Sequence, residues 1–182
     1  MAPSHTDRFD LTGRVSLVTG ATKGLGRAMV QGLAEAGSDV VVVSRKLDLC
    51  EQVAAEVAES TGRRALPLAC HMGEWDAIPE LVDRVYKEFG RIDVLVNNAG
   101  INPAMTPITE ISEAYFDKLC SVNLKGPLRL AALVAPRMGE HGGGSIINVA
   151  TLGAYAAGPG VGTYTGLKAA LRGLGSSSTS FP

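Results

Sequence analysis

Apolar residues fall along this chain in two alternating rhythms. Short unbroken runs mark strands: Val15 to Thr19, Asp39 to Ser44 with four successive valines, Ala65 to Cys70, Ile92 to Val96 and Ser145 to Ala150. Between them apolar positions recur at helical spacing. They are Leu25, Met29, Val30 and Leu33 within Gly24 to Ala36, then Leu49, Val53 and Val57 within Leu47 to Ser60, then Ile78, Leu81, Val82 and Val85 within Trp75 to Phe89. Pro79 sits in the first turns of its helix, where a missing N–H costs little. A longer helical stretch runs from about Ser112 to Met138, and Pro127 and Pro136 are expected to bend or end it. Four valines in a row need apolar cover on both faces, as in a parallel sheet. The alternation, without internal repeat, predicts an α/β chain: a doubly wound parallel sheet in three αβα layers, with its chemistry at the carboxyl ends of the strands.

Composition narrows the partners. The 182 residues are one domain's worth, 46% of them hydrophobic, and 17 Lys+Arg against 18 Asp+Glu leave a formal net charge of −1. That balance lacks the basic footprint of a nucleic-acid or membrane-surface binder, so a small-molecule partner is expected. No run approaches the ~18 apolar residues of a membrane span, and Met1 to Arg14 contains no apolar signal core. Cys50, Cys70 and Cys120 match no metal-ligand spacing and leave an odd thiol, so a reducing, cytoplasmic setting is expected. His5, His71 and His141 are scattered, no metal site is assigned, and the Gly-x-Ser-x-Gly hydrolase elbow is absent. Glu110, Glu113 and Asp117 crowd a helix start, where they complement its dipole.

The chain has 22 glycines, more than the usual share, and three of them fall where chemistry is expected. Thr19-Gly20-Ala21-Thr22-Lys23-Gly24-Leu25-Gly26 joins the first strand to the first helix, and helix-start amides there face an anion such as a pyrophosphate. Gly20 permits the turn, Gly24 lets backbone approach the ligand, and Gly26 lets helix and strand pack closely. At the end of the second strand an acid would grip a ribose 2′-hydroxyl, whereas a base suits a 2′-phosphate. The chain has Ser44-Arg45-Lys46 there, with Lys23 as a further cation. NADP(H) is therefore expected over NAD(H); the competing reading is a solvated charge pair at a helix start.

Tyr164 and Lys168 are four residues apart, hence on one helical face. A neighbouring ammonium would lower the phenol from its usual ~10 and make proton exchange feasible near neutrality.

These landmarks, with Asn97-Asn98-Ala99-Gly100 after the fourth strand and Asn123 in Ser121 to Gly126, occur in the order seen in short-chain dehydrogenases/reductases. The chain resembles that family from Leu11 to about Leu174. The resemblance implies a Rossmann sheet and hydride transfer between a nicotinamide and a ketone, aldehyde or alcohol. It makes Tyr164 the acid/base, Lys168 the holder of the nicotinamide ribose, and Asn123 the anchor of a water relay. It also implies cofactor contacts from Thr22, Lys23, Leu25, Ser44, Arg45 and the turn Asn98, Ala99 and Gly100, and a homo-oligomer if the chain is complete.

The chain departs from that pattern in three places. Thr151 stands where the family has a substrate-orienting serine: its hydroxyl can still donate, while its methyl stiffens χ1 and leaves a merely structural role open. His71 stands where the family often has an aspartate after the third strand; it can offer a nitrogen to adenine or serve a partly buried structural role. Past the Tyr/Lys helix the family's last strands are missing. A domain over 1–174 and a low-complexity tail over 175–182 are therefore expected, from a truncated product or a shifted frame, with Ser145 to Ala150 left as a sheet edge. Ala154 to Val161 form a mostly apolar loop that would suit a neutral or lipophilic carbonyl. A nucleotide-binding module without catalysis is the alternative.

Overall fold

A computed structural model describes residues 9–156 and 158–177. Five parallel strands, β1 (Val15–Thr19), β2 (Asp39–Ser44), β3 (Ala65–Ala69), β4 (Val94–Asn97) and β5 (Ser145–Asn148), lie in the order β3-β2-β1-β4-β5. In register, Leu17 of β1 lies between Val41 of β2 and Leu95 of β4. Strand order reverses between β1 and β4, which opens a crevice beyond their carboxyl ends.

The valine run explains the layers. Side chains alternate across a strand: Val40 and Val42 pack under α1 (Gly24–Glu35) and α2 (Leu47–Thr61) with Val30 and Val53, whereas Val41 and Val43 join Leu17, Leu95, Leu130 and Val134 on the opposite face. That second face is covered by α3 (Ile78–Phe89) and α5 (Gly126–Glu140). Each fully buried valine contributes about 1.5–3 kcal/mol of transfer free energy. α4 (Glu113–Cys120) and α6 (Gly162–Ser177) close the remaining side, with α6 packed on β5 and α4.

Several expected boundaries shift for local reasons. Leu25 is 67% exposed and Leu49 also faces water; Cys50 and Ala54 take the inward positions of α2. α3 begins at Ile78 rather than Trp75, with Pro79 in its first turn as expected. The Ser112–Met138 stretch is divided by a π-helical turn, Ser121–Lys125. Pro127 opens α5, whereas Pro136 neither ends nor stops it, since α5 continues to Glu140. The tail expected from Gly175 is helical as far as Ser177, and residues 178–182 lie outside the described set. Asp93, just before β4, was absent from the sequence expectations. It is buried and receives the Val15 N–H (2.9 Å), Arg14 Nη1 (2.9 Å) and Arg91 Nε (2.8 Å), pinning the amino end of β1 to β4.

Candidate active site

The glycine turn after β1 is a cradle built by close approach. Gly20 adopts φ +66°, the left-handed region, and a methyl at Gly26 would overlap the Gly20 carbonyl and lie 2.5 Å from Asn98 Nδ2. Asn98 Nδ2 in turn donates to the carbonyls of Thr19 (2.9 Å) and Gly20 (3.2 Å). Thr19 Oγ1 accepts from the backbone N–H groups of Asn98 and Ala99, both at 3.1 Å. Asn98 thus braces the turn from behind instead of lining the cleft. No side chain caps the start of α1, so its first N–H groups remain available to an anion.

In front of the cradle an open cleft is lined by Gly20, Thr22, Lys23, Ser44, Arg45, His71, Ala99 and Gly100. Most of the expected cofactor residues therefore share one cavity. Gly24 and Leu25 do not line it, and Gly26 is buried behind it. Thr22 Oγ1 donates to Ser44 Oγ (3.2 Å), joining the glycine turn to the end of β2. Lys23 and Arg45 are exposed and make no ion pair among the described residues. Cys70, Met72, Ile101 and Val122 also line the cleft and were not anticipated; the first two flank His71 and could have been inferred from it. Burial pushes the Cys70 thiol up to about 11, so it is a neutral part of the wall.

At the cleft's inner end, α6 and the π turn converge on Gly100. A Cβ there would lie 3.0 Å from Asn123 Oδ1 and 3.4 Å from Lys168 Nζ. Asn123 is fully buried: Oδ1 accepts from Ile101 N (3.0 Å), and Nδ2 donates to the carbonyls of Ile101 (2.9 Å) and Leu119 (3.0 Å). Its amide holds the loop after β4 against the π turn. Lys168 is only 2% exposed, and Nζ donates to the Val149 carbonyl at 2.8 Å. Among the described residues no carboxylate pairs with it, and burial lowers its pKa from the usual lysine range.

Tyr164, one turn earlier on α6, lines a separate narrow crevice with Asn102, Ala104, Tyr115 and Val161. Burial raises its phenol above the ordinary value. The depression expected from Lys168 is thus reversed in sign, because desolvation dominates. Thr151 precedes a short 3₁₀ turn, and its Oγ1 accepts from Gly153 N at 3.3 Å. His71 Nδ1 accepts from Gly73 N at 3.1 Å. Of the apolar loop, Tyr155 is strongly exposed, and Ala157 lies outside the described residues. No described helix is long and apolar enough to cross a membrane, and no metal-binding cluster occurs among the described residues.

A glycine cradle at the switch point of a parallel sheet defines a Rossmann-type, nucleotide-binding protein. The short chain dehydrogenase family model matches residues 14–179, and the chain belongs to that family. It is 38% identical over 172 residues to dehydrogenase/reductase SDR family member 4 of Caenorhabditis elegans, covering 94% of this chain and 65% of that protein. It is 37% identical to the Homo sapiens protein of the same name, covering 96% of this chain and 63% of that protein. It is 38% identical to 2-dehydro-3-deoxy-D-gluconate 5-dehydrogenase of Dickeya dadantii, with 91% and 64% covered. The chain thus spans somewhat less than two thirds of these relatives' length. Among solved structures, a metagenomic short-chain oxidoreductase in complex with NADP superimposes with a TM-score of 0.88 at 36% identity, covering 92% of this chain and 76% of that one. NAD+-bound xylitol dehydrogenase gives 0.85 at 30% identity, covering 90% and 63%.

Proposed function

We propose that this chain is the nucleotide-binding and catalytic core of a cytoplasmic NADP(H)-dependent oxidoreductase that interconverts a ketone or aldehyde and an alcohol, as a homo-oligomer. The observation that carries the reading is the meeting of a buried ammonium, without a carboxylate partner among the described residues, and a fixed amide behind Gly100, which lines the same cleft as Lys23, Ser44 and Arg45. A buried cation without a carboxylate is costly and points to a ligand-directed role.

The residues fit a dinucleotide. The Gly20/Gly26 cradle and the uncapped start of α1 suit the pyrophosphate, and Arg45, Lys23 and the Ser44/Thr22 hydroxyls suit a ribose 2′-phosphate. When bound, the nicotinamide supplies or accepts the hydride. Lys168 has two N–H donors left after Val149 for the nicotinamide ribose, and Asn123 Oδ1 retains a lone pair that could hold a water. Tyr164, kept protonated by burial, is set to donate its proton to a carbonyl oxygen, which favours reduction, and Thr151 offers the orienting hydroxyl. NADP and NAD+ each occur in a solved relative, so preference rests on the end of β2.

Titration of the protein with NADPH and NADH should show tighter NADPH binding. Arg45→Ala should weaken NADPH about 10- to 100-fold, as loss of a charge-assisted bond implies, and leave NADH nearly unchanged. Equal loss for both cofactors would contradict the 2′-phosphate role. A module without turnover is the second reading, favoured by Tyr164 lining its own crevice. NADPH oxidation against a panel of aldehydes and diketones separates the two. Tyr164→Phe should lower kcat by about 10²–10⁴ with cofactor affinity intact. Tight NADPH binding without turnover on any substrate supports the module.

A further inference from the structure

We propose that His71 presents a hydrogen-bond donor, not an acceptor, to the base of the bound dinucleotide, so that this site accepts a 6-oxo purine as well as adenine. The inference rests on the dinucleotide reading above and concerns the far end of the same cleft.

The polarity follows from one contact. A backbone N–H can only donate, and Gly73 N lies 3.1 Å from His71 Nδ1, so Nδ1 is the acceptor. In a neutral imidazole the proton must then reside on Nε2. The contact is built in by close packing: a Cβ at Gly73 would lie 2.9 Å from His71 Cε1 and 3.0 Å from Nδ1, so a larger residue there would push the ring away. The segment is further anchored by Cys70 N, which donates to the Ser44 carbonyl at 2.8 Å. No described residue bonds Nε2, and His71 lines the cleft beside Ser44 and Arg45. The Nε2–H is therefore the polar edge left for a ligand.

A carboxylate at this place could only accept, and along its pairing edge adenine offers a donor only at the 6-amino group. It would therefore meet the 6-amino group and repel a 6-oxo group. An Nε2–H removes that preference, because it can donate to N1 of adenine or to the 6-oxo group of hypoxanthine.

The test has a structural and a binding arm. ¹⁵N-resolved NMR of the free protein should show His71 as the Nε2–H tautomer at neutral-to-alkaline pH; an Nδ1–H ring overturns the proposal before any ligand is added. Calorimetric titration should then show NADPH and its hypoxanthine analogue binding within about threefold of each other. His71→Asp should weaken the analogue tenfold or more relative to NADPH. His71→Asn, which offers one oxygen to Gly73 and an N–H to the base, should restore the near-equality. A wild-type protein that rejects the analogue tenfold while binding NADPH refutes the donor role alone. Failure to bind either dinucleotide removes the cofactor reading and this proposal together.

Discussion

β2 and β5 are both parallel strands of one sheet, yet they are built on different terms. β2 lies between β1 and β3, and Val40 to Val43 have no contact with water. β5 pairs with β4 alone among the described residues and leaves Ile147 45% exposed. The glycine cradle belongs to the first region, where apolar burial and backbone packing fix position. Lys168 and Asn123 belong to the second, where a buried cation and a buried amide are held mainly by backbone carbonyls. The groups proposed to act on the β5 side are therefore held at a cost in stability, which the β2 side offsets.

The largest effect expected from this contrast lies in the cradle. Gly26→Ala puts a methyl into the Gly20 carbonyl, backbone against backbone, where neither partner can swing aside. It should cost about 3 kcal/mol and abolish measurable NADPH binding. Two turns along the same helix, Gly32 has nothing within 4 Å of an added Cβ. Gly32→Ala should stabilise by about 0.5–1 kcal/mol through helix propensity. Urea midpoints of the two variants measure the difference, and equal losses would show that helix breaking, not close approach, governs α1.

The same contrast explains what the sequence made legible. β1 and β2 match their expected limits because runs covered on both faces carry a signal independent of context. The order of Gly20, Asn98, Asn123, Tyr164 and Lys168 pointed to one site, and the structure brings Gly100, Asn123 and Lys168 together. What escaped reading depends on contacts far along the chain. Leu49 and Cys50 are adjacent apolar residues, and a rotation of about 100° per residue decides which one faces inward. The π turn is accompanied by Asn123 reaching across to Ile101, a pairing that local spacing does not announce. Tyr164's sign reversed because its neighbours Ala104, in the loop after β4, and Tyr115, on α4, come from 60 and 49 positions earlier.

Asp93 is a smaller break, at the end of the sheet opposite the site. Burial alone would raise its pKa, but hydrogen bonds from Arg91, the Val15 amide and Arg14 outweigh it and hold the carboxyl below its ordinary range. Arg14 is half in water, so its ion pair contributes under about 1 kcal/mol, and the Val15 N–H bond matters more. Asp93→Asn should cost about 2 kcal/mol. Because the folded pKa is depressed, Asp93's contribution is complete above the unfolded value near 3.9 and disappears as pH falls through the folded one. Wild type and variant should therefore converge in stability in acid; a constant gap would place the loss in packing.

Lys168→Met should give a smaller stability change than Asp93→Asn, with the opposite sign. The ammonium is buried with one carbonyl for a partner, so an apolar chain of similar length removes a desolvation penalty and forfeits a single hydrogen bond. The variant should be about 1 kcal/mol more stable at pH 7, while turnover falls about a hundredfold. The sign with pH follows from the lowered pKa. The unfolded chain holds this proton more tightly than the folded one, so wild-type stability rises as pH climbs from the depressed value toward ~10.4. The variant's lead is widest below that window and closes across it. A less stable Lys168→Met at neutral pH would mean that the Val149 bond outweighs the burial of charge, and the β5 side would then be held by its polar groups as firmly as the β2 side is by its valines.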